Sequence, residues 1–234
     1  MDFYSALQIP ASCLIDKIIA KKMFLDNAAL SKSDKALFSD VVERIRWKYC
    51  LKEEFIPIHP YQDDERDYPE VEILEVVLKQ EKGLRRLAEI VMRSIPYPML
   101  LVFRLDDQIQ IWMAQQRISQ ADHDKITLEE FMVSPQLQEG DSFWTALSIR
   151  NLRPTNFYDF YSDWLDRLSI QKAKEQVPSS EDLNGEEARM LLAQRENMEK
   201  EIAILRAELK KETQFSRKVE LNMKIKRLER EKLI

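Results

Sequence analysis

The sequence predicts an α+β protein, in which a mixed four- to five-stranded sheet packs with helices and is followed by a C-terminal helical hairpin or coiled coil. Two apolar runs rich in β-branched residues, Val71–Lys79 and Met99–Leu105, flank a segment with helical spacing, as in a β-α-β unit. The alternating segment after Asp107 is typical of an antiparallel hairpin partner. The last 49 residues contain no glycine or proline and consist largely of strong helix formers.

Two helices are expected ahead of the sheet. The first starts at Pro10-Ala11-Ser12, and its apolar residues follow helical spacing: Leu14, Ile15, Ile18, Ile19 and Met23. The second opens at Ser33-Asp34 and has the same kind of spacing: Leu37, Phe38, Val41, Val42 and Ile45. The run Ile45–Leu51 alternates, so it either continues this helix or begins an edge strand.

The central region is predicted to alternate strands and connections. The elements expected in chain order are a polar loop at 61–69, a strand at 71–79, a helix at 82–94, a strand at 99–105, a hairpin partner at 109–115, a loop at 120–124 and a strand at 126–133. Helices are expected at 142–149 and 156–176. An apolar stripe on the longer helix is interpreted as core packing against the sheet: Phe157, Phe160, Tyr161, Trp164 and Leu168.

Pro178 and the neighbouring serines interrupt all periodicity, which predicts a domain boundary. We expect a globular domain at residues 1–176, a linker at 177–185 and a helical tail at 186–234. Apolar positions in the tail follow coiled-coil spacing up to Leu209, and a second seam in a different phase starts at Leu221. This change of phase favours a hairpin that turns near 211–216 over one rod of about 75 Å, from roughly 1.5 Å per residue.

The apolar stripe of the tail must meet another helix, either in this chain or in a partner. Ten residues are therefore predicted to bind a partner: Leu191, Met198, Ile202, Leu205, Leu209, Phe215, Val219, Leu221, Ile225 and Leu228. Self-association through the same seam is equally compatible. Four or five such side chains, at roughly 1.5–3 kcal/mol each, would provide the gross driving force for docking.

Charge is uneven along the chain. Residues 186–234 hold 13 Lys and Arg against 10 Glu, a net of +3, which leaves −8 for residues 1–185 out of the total of −5. An acidic partner or a nucleic-acid backbone could be attracted to the basic tail, although interleaved Lys and Glu usually form only a solvated helix face. No apolar run approaches the roughly 20 residues that cross a bilayer, so we expect a cytoplasmic protein without membrane contact.

Several classes of enzyme lack their signatures. The three glycines, Gly83, Gly140 and Gly185, are too far apart for a phosphate-binding loop, and His59 and His123 lack metal-ligand spacing. Cys13 and Cys50 are expected to be reduced, buried residues rather than nucleophiles. No cofactor is therefore expected.

Three segments resemble a bacterial family known only as a domain of unknown function, number four-three-nine-one: Ile45-Arg46-Trp47-Lys48-Tyr49, Ser94–Pro98 followed by Leu100-Leu101-Val102-Phe103, and Lys211–Asn222. The resemblance spans nearly the whole chain and carries no established activity. It implies a context, since such proteins resemble components encoded near helicases and DNA methyltransferases in restriction or phage-defence loci.

We therefore expect a non-catalytic accessory or scaffolding subunit of a bacterial DNA-targeting defence assembly. A helicase, a DNA methyltransferase or a second copy of the chain is the expected partner. The alternative is a Mg²⁺-dependent, restriction-type nuclease with a degenerate motif, in which Asp64, Glu75 and Lys79 are catalytic. That alternative departs from the usual spacing, because Glu75 and Lys79 are separated by three residues rather than one.

Overall fold

The computed structural model describes residues 2–27, 30–119, 126–129, 131–177 and 182–232. The chain divides into two compact units, residues 1–168 and 169–234. The first unit contains the strands, and the second contains the C-terminal helices. The predicted limits of the linker, 177–185, stay a prediction, since residues 178–181 lie outside the described residues.

Eleven strands are described: β1 Leu14–Ile19, β2 Val42–Lys52, β3 Tyr61–Gln62, β4 Asp67–Tyr68, β5 Glu70–Leu78, β6 Met99–Leu105, β7 Gln108–Met113, β8 Gln116–Ile118, β9 Ile126–Leu128, β10 Met132–Val133 and β11 Leu137–Gln138. Eight α-helices are described: α1 Phe3–Leu7, α2 Lys21–Asn27, α3 Lys32–Val41, α4 Leu84–Ser94, α5 Phe143–Ala146, α6 Phe157–Gln176, α7 Gly185–Lys211 and α8 Phe215–Glu231.

One mixed sheet organises the first unit. Its strand order is β1-β2-β5-β6-β7-β10, and β11 also pairs with β7. Only β5 and β6 pair in parallel within the described sheet, and α4 connects them, which confirms the predicted β-α-β unit. The α+β class is therefore confirmed. The sheet is larger than the four to five strands expected, because the N-terminal segment and the short strands β10 and β11 also join it.

The predicted first helix is wrong. Residues Leu14–Ile19 form β1, which pairs antiparallel with β2, and only the following segment, Lys21–Asn27, is helical. Apolar residues in adjacent pairs fit a helix as well as a strand over so short a run, so spacing alone cannot distinguish them. Pairing with the side of β2 that faces away from β5 decides the outcome, because that side offers backbone hydrogen bonds.

The second helix is correct in kind but has different limits. It begins after Ser31 rather than at Ser33, because Ser31 and Asp34 form a reciprocal capping box. Val42 and Ile45, which were expected to be helical, belong to β2. The ambiguous run Ile45–Leu51 is a strand, and it lies inside the sheet between β1 and β5 rather than at the edge.

The connecting segments are more structured than expected. The predicted loop at 61–69 contains the β3–β4 hairpin. The predicted strand at 126–133 is two short strands with different partners, since β9 pairs with β8 and β10 pairs with β7. The predicted helix at 142–149 is shortened to α5, and a short 3-10 turn follows at Ile149–Asn151. The predicted loop at 120–124 lies outside the described residues.

Each face of the sheet carries its own hydrophobic core. One face packs under α1, α5 and α6, and the other under α2, α3 and α4. The stripe on α6 is confirmed as core, since each of its members is at most 1% exposed: Phe157, Phe160, Tyr161, Trp164 and Leu168. The buried Tyr161 hydroxyl donates to the Met99 carbonyl at 2.8 Å, so the polar end of the stripe is satisfied.

The C-terminal helices form a hairpin rather than one rod. Helix α7 ends at Lys211, and α8 begins at Phe215 after a short turn. The carboxylate of Glu212 accepts hydrogen bonds from the backbone N–H groups of Thr213 and Gln214, at 2.7 and 2.8 Å, which specifies the turn. None of the described helices is long and apolar enough to cross a membrane.

Candidate functional site

The apolar seam of the tail is closed within the hairpin. Ile202 and Leu205 on α7 pack against Leu221 and Ile225 on α8, and Leu209 and Leu228 flank them. Six of the ten residues predicted to bind a partner therefore meet each other in this chain. Leu191 and Met198 are half-buried, whereas Phe215 and Val219 are exposed. Partner binding by these residues stays a prediction.

Ion pairs across the hairpin support the same arrangement. Arg206 on α7 pairs with Glu229 on α8 at 2.7 Å. Glu199 on α7 pairs with Lys232, just beyond the end of α8. These pairs are solvent-exposed and are each worth at most about 1 kcal/mol. These ion pairs contribute more to the register of the two helices than to the stability of the hairpin.

A second apolar stripe lies on the outside of α8. Phe215, Val219 and Met223 are 81%, 42% and 67% exposed and follow one another at four-residue steps. Successive residues of an α-helix are turned by about 100°, so the three side chains share one face, opposite Leu221 and Ile225. We call Phe215, Val219 and Met223 the outer stripe.

Met223 was not among the residues predicted to bind a partner. The signal that could have identified it is the continued four-residue spacing from Phe215 through Val219. The prediction included Phe215 and Val219 but did not extend their spacing by one further step of four residues to Met223. A helix with two apolar faces uses one to fold and leaves the other available.

The charge of α8 complements an acidic partner. Residues 215–232 contain seven Lys and Arg but three Glu. By helical geometry, Lys226 and Arg230 continue the face of the outer stripe toward the C-terminus. The surface is thus apolar in its first turns and basic in its last, and it suits a segment that carries apolar side chains beside carboxylates.

The nuclease alternative places its residues in different surroundings. Asp64 is exposed in the turn of the β3–β4 hairpin. Glu75 is buried in β5 and engaged by Tyr4 and Arg104. The Lys79 ammonium donates to the Ser39 carbonyl at 3.1 Å. At roughly 3.3 Å per strand residue, Lys79 lies about 13 Å along the strand from Glu75. The described contacts do not bring the three together, and their catalytic role stays a prediction.

Glu75 is the centre of a buried polar network. The Tyr4 hydroxyl donates to its carboxylate at 2.9 Å, and Arg104 donates from Nε at 3.1 Å. Arg104 also pairs with Glu139 at 3.3 Å. Burial, followed by the nearby Glu75 charge, holds the pKa of Tyr4 well above its usual value. A neutral tyrosine and a charged guanidinium therefore satisfy the Glu75 carboxylate.

A second cluster of acids lies on the opposite face of β5. Cys50 on β2 is directly opposite Glu72 in the antiparallel register, and Glu70 is two residues from Glu72 on the same face. One side-chain donor atom from each of the three residues lies within 4.8 Å of the others. The Trp47 indole N–H donates to the Glu72 carboxylate.

The burial of this cluster alters its chemistry. Burial, opposed by the Trp47 hydrogen bond, raises the pKa of Glu72 to about 8. Burial and the neighbouring Glu72 and Glu70 charges raise the pKa of the Cys50 thiol, so it is a poor nucleophile. Sequence reasoning missed this cluster, since only the strand register shows that Cys50 and Glu72 are neighbours. The donor types and their spacing would permit a cation, and protonation of Glu72 accounts for the same contacts.

A family model described as a domain of unknown function (DUF4391) matches residues 7–231. Comparison with the curated proteins and with the solved structures gives no match.

Proposed function

This chain belongs to the DUF4391 family, and from that premise we propose that it is a non-catalytic accessory or scaffolding subunit that docks a partner protein through the outer stripe. The assembly we propose is a bacterial DNA-targeting defence complex. A helicase or DNA methyltransferase of that complex is the proposed partner. The outer stripe of α8 is the observation on which the docking role rests.

The outer stripe supports docking because its exposure is costly to the isolated protein. Three large apolar side chains lie together on one helix face that the hairpin does not cover. Scattered apolar residues are normal on a protein surface, whereas a contiguous row marks an interaction site. Burying apolar area gives about 25 cal/mol per Å², so even this short row contributes to association.

The inner seam supports the same role indirectly. It closes the hairpin with four residues that are each less than 10% exposed, so α8 is held as a helix before any partner binds. A preformed helix loses less conformational entropy on docking than a disordered segment does. The hairpin therefore presents the outer stripe as a pre-organised binding face.

The defence context rests on a different kind of support. It follows from the resemblance of the family to components encoded near helicases and DNA methyltransferases. The acidic balance of residues 1–168, with 21 Lys and Arg against 28 Asp and Glu, is unfavourable for direct DNA binding by the sheet unit. A partner that itself engages DNA would remove the need for such binding.

The test is affinity capture of the tagged full-length protein from its native host, with nuclease added to remove nucleic-acid bridges. We expect a stoichiometric helicase or methyltransferase, encoded beside this chain, to co-purify. The triple variant Phe215→Ala, Val219→Ala, Met223→Ala should lose it, because alanine keeps the helix and removes only the apolar row.

The matched control changes exposed apolar residues on the other helix of the hairpin, Met190→Ala and Ile204→Ala, which are each 59% exposed. This variant should retain the partner. Equal recovery with the triple variant would refute the outer stripe as the docking face. Recovery of the chain alone, as a dimer in light scattering that the triple variant dissociates, would assign the stripe to self-association instead.

A further inference from the structure

A buried carboxyl group, Glu72, and a half-buried one, Glu70, lie side by side where β2 and β5 pair. Glu70 and Glu72 occupy alternate positions of β5 and therefore point to the same face. Across the register, Cys50 faces Glu72 and Lys52 faces Glu70. The Cys50 thiol lies 3.8 Å from a Glu70 carboxylate oxygen. One donor atom from each of Cys50, Glu70 and Glu72 lies within 4.8 Å of the others, so the two carboxyl groups are close enough for their charges to interact.

Glu72 has no cationic partner within the described part of the chain. It is only 2% exposed, and its described hydrogen bond is from the neutral Trp47 indole. Lys52 is directed elsewhere, since its ammonium pairs with Glu54 at 2.9 Å. A buried ionised carboxylate without a counter-charge is expensive, and two side by side are more so. The usual resolution is that one acid keeps its proton.

We propose that Glu72 keeps its proton at neutral pH beside the Glu70 carboxyl group, and that losing this proton loosens the sheet where β2, β5 and the start of β6 meet. The neutral carboxyl can donate its O–H to the neighbouring carboxylate, as in other carboxyl pairs that hold a single charge. This contact is a pH-sensitive device built into the fold.

The electrostatics of the surroundings agree with this geometry. Burial is the main cause of the raised pKa of Glu72, about 8, and the Glu70 charge adds to it. The pKa of Tyr97, in the segment that precedes β6, is also raised, by burial and then by the charges of Glu70 and Glu72. The Trp47 indole acts in the opposite sense for Glu72 by favouring its charged form.

The direction of the pH effect follows from the raised pKa. The folded state holds the proton more tightly than the unfolded state, where a glutamate has a pKa of about 4.3. Its contribution to stability is therefore complete in acid and is lost as the pH rises toward 8. Across this window, the equilibrium constant for unfolding should rise by about tenfold per pH unit from this group alone.

The Trp47 indole N–H reports directly on the Glu72 proton. In a ¹⁵N NMR titration of the intact protein, its resonance should shift with a midpoint near pH 8. The variant Trp47→Phe assigns the signal among the four tryptophans. Glu72→Gln keeps an acceptor for the indole and removes the ionisable group, so the titration should disappear and the pH dependence of urea unfolding should flatten. Glu81→Gln, an exposed glutamate just beyond β5, is the matched control and should change neither.

Two outcomes would overturn the proposal. A midpoint in the ordinary carboxyl range, near pH 4, would mean that Glu72 is ionised at neutral pH. A Trp47 signal that moves when EDTA is added to the purified protein would mean that a resident cation holds the two carboxylates instead of a proton. Both measurements use the wild-type protein, so the test does not depend on a variant that folds poorly.

Discussion

Arg104 neutralises a buried carboxylate on the face of the sheet that packs against α6. Its side chain is 19% exposed, and that of its partner Glu75 is 10% exposed. Removing the two charged groups from water costs free energy, so the ion pair contributes less to net stability than the attraction of its charges alone would indicate. Removing only the arginine is strongly destabilising, because the charge of Glu75 would then stay buried without a partner.

Arg104→Met should destabilise the protein by about 3–5 kcal/mol in urea unfolding, because it leaves Glu75 charged and without its cation. Adding Glu75→Gln should recover part of this loss, since the uncompensated charge is removed. The control is Arg117→Met at the more exposed Arg117–Glu129 pair, for which a change below about 1 kcal/mol is expected. An equal effect of both single variants would contradict burial as the cause.

Asp34 links the start of α3 to α4. Its carboxylate accepts two hydrogen bonds from Arg86, at 2.8 and 2.9 Å, and one from the backbone N–H of Ser31 at 3.1 Å. The Arg86 guanidinium, and then the Ser31 hydroxyl, hold the pKa of Asp34 far below its usual value. A lowered pKa means that this contribution to stability is present above the ordinary Asp pKa, about 3.9, and is lost as the pH falls below it.

We therefore expect the wild-type protein to lose stability as the pH falls from about 4 to about 2, partly through Asp34. Asp34→Asn should lower stability at neutral pH and make the acid limb shallower, as measured by thermal unfolding across this range. Asp40→Asn, an exposed position on the same helix, is the control. If stability fell with pH as steeply in Asp34→Asn as in the wild type, other carboxylates would dominate acid unfolding.

At the scale of elements, α8 carries apolar residues on two faces with different surroundings. Its inner residues close the hairpin, whereas its outer residues meet solvent. Ion pairs at the surface add little to the stability of such a hairpin. Opening of α8 should therefore depend on the inner seam and be nearly independent of the outer stripe.

Ile225→Ala should lower the free energy of opening the hairpin by about 2–5 kcal/mol, because it leaves a cavity in the seam. Met223→Ala, two residues away on the other face, should stay within about 0.5 kcal/mol of the wild type. Hydrogen exchange of the backbone amides of α8 measures both. Similar protection loss in the two variants would mean that the outer stripe is already buried in solution, for example in a dimer.

At the scale of the whole molecule, the hydrophobic clusters separate along the chain. Those of the sheet draw on residues up to Leu168, and that of the hairpin draws on residues from Ile202 to Leu228. Charge separates in the same way. Residues 1–168 carry a net charge of −7, and residues 169–234 carry +2.

A chain that ends at Ser180 should therefore keep the sheet unit folded. We expect its thermal midpoint in near-UV circular dichroism, which reports the buried tryptophans, to shift by less than about 4 °C, equivalent to roughly 1 kcal/mol for this size. The same truncation should abolish partner capture. Loss of the cooperative transition would show that the sheet unit needs the hairpin to fold.

Local patterns predicted the elements whose periodicity was long enough. The β-α-β unit, the strand after Asp107, the α6 stripe and the C-terminal hairpin are each carried by repeated apolar spacing. The shorter runs were misassigned, as Leu14–Ile19 shows. Six residues give too few repeats to separate a strand from a helix, so the available pairing partner decides.

The same distinction between local patterns and distant contacts applies to the candidate sites. The sequence by itself determined that the tail is helical, amphipathic and basic, since these properties lie in residue order and composition. Only the tertiary structure decided which apolar face of α8 closes the hairpin, and only it placed Cys50 opposite Glu72. Contacts between distant segments depend on register and packing, and a shift of one residue in a strand would turn every side chain to the other face.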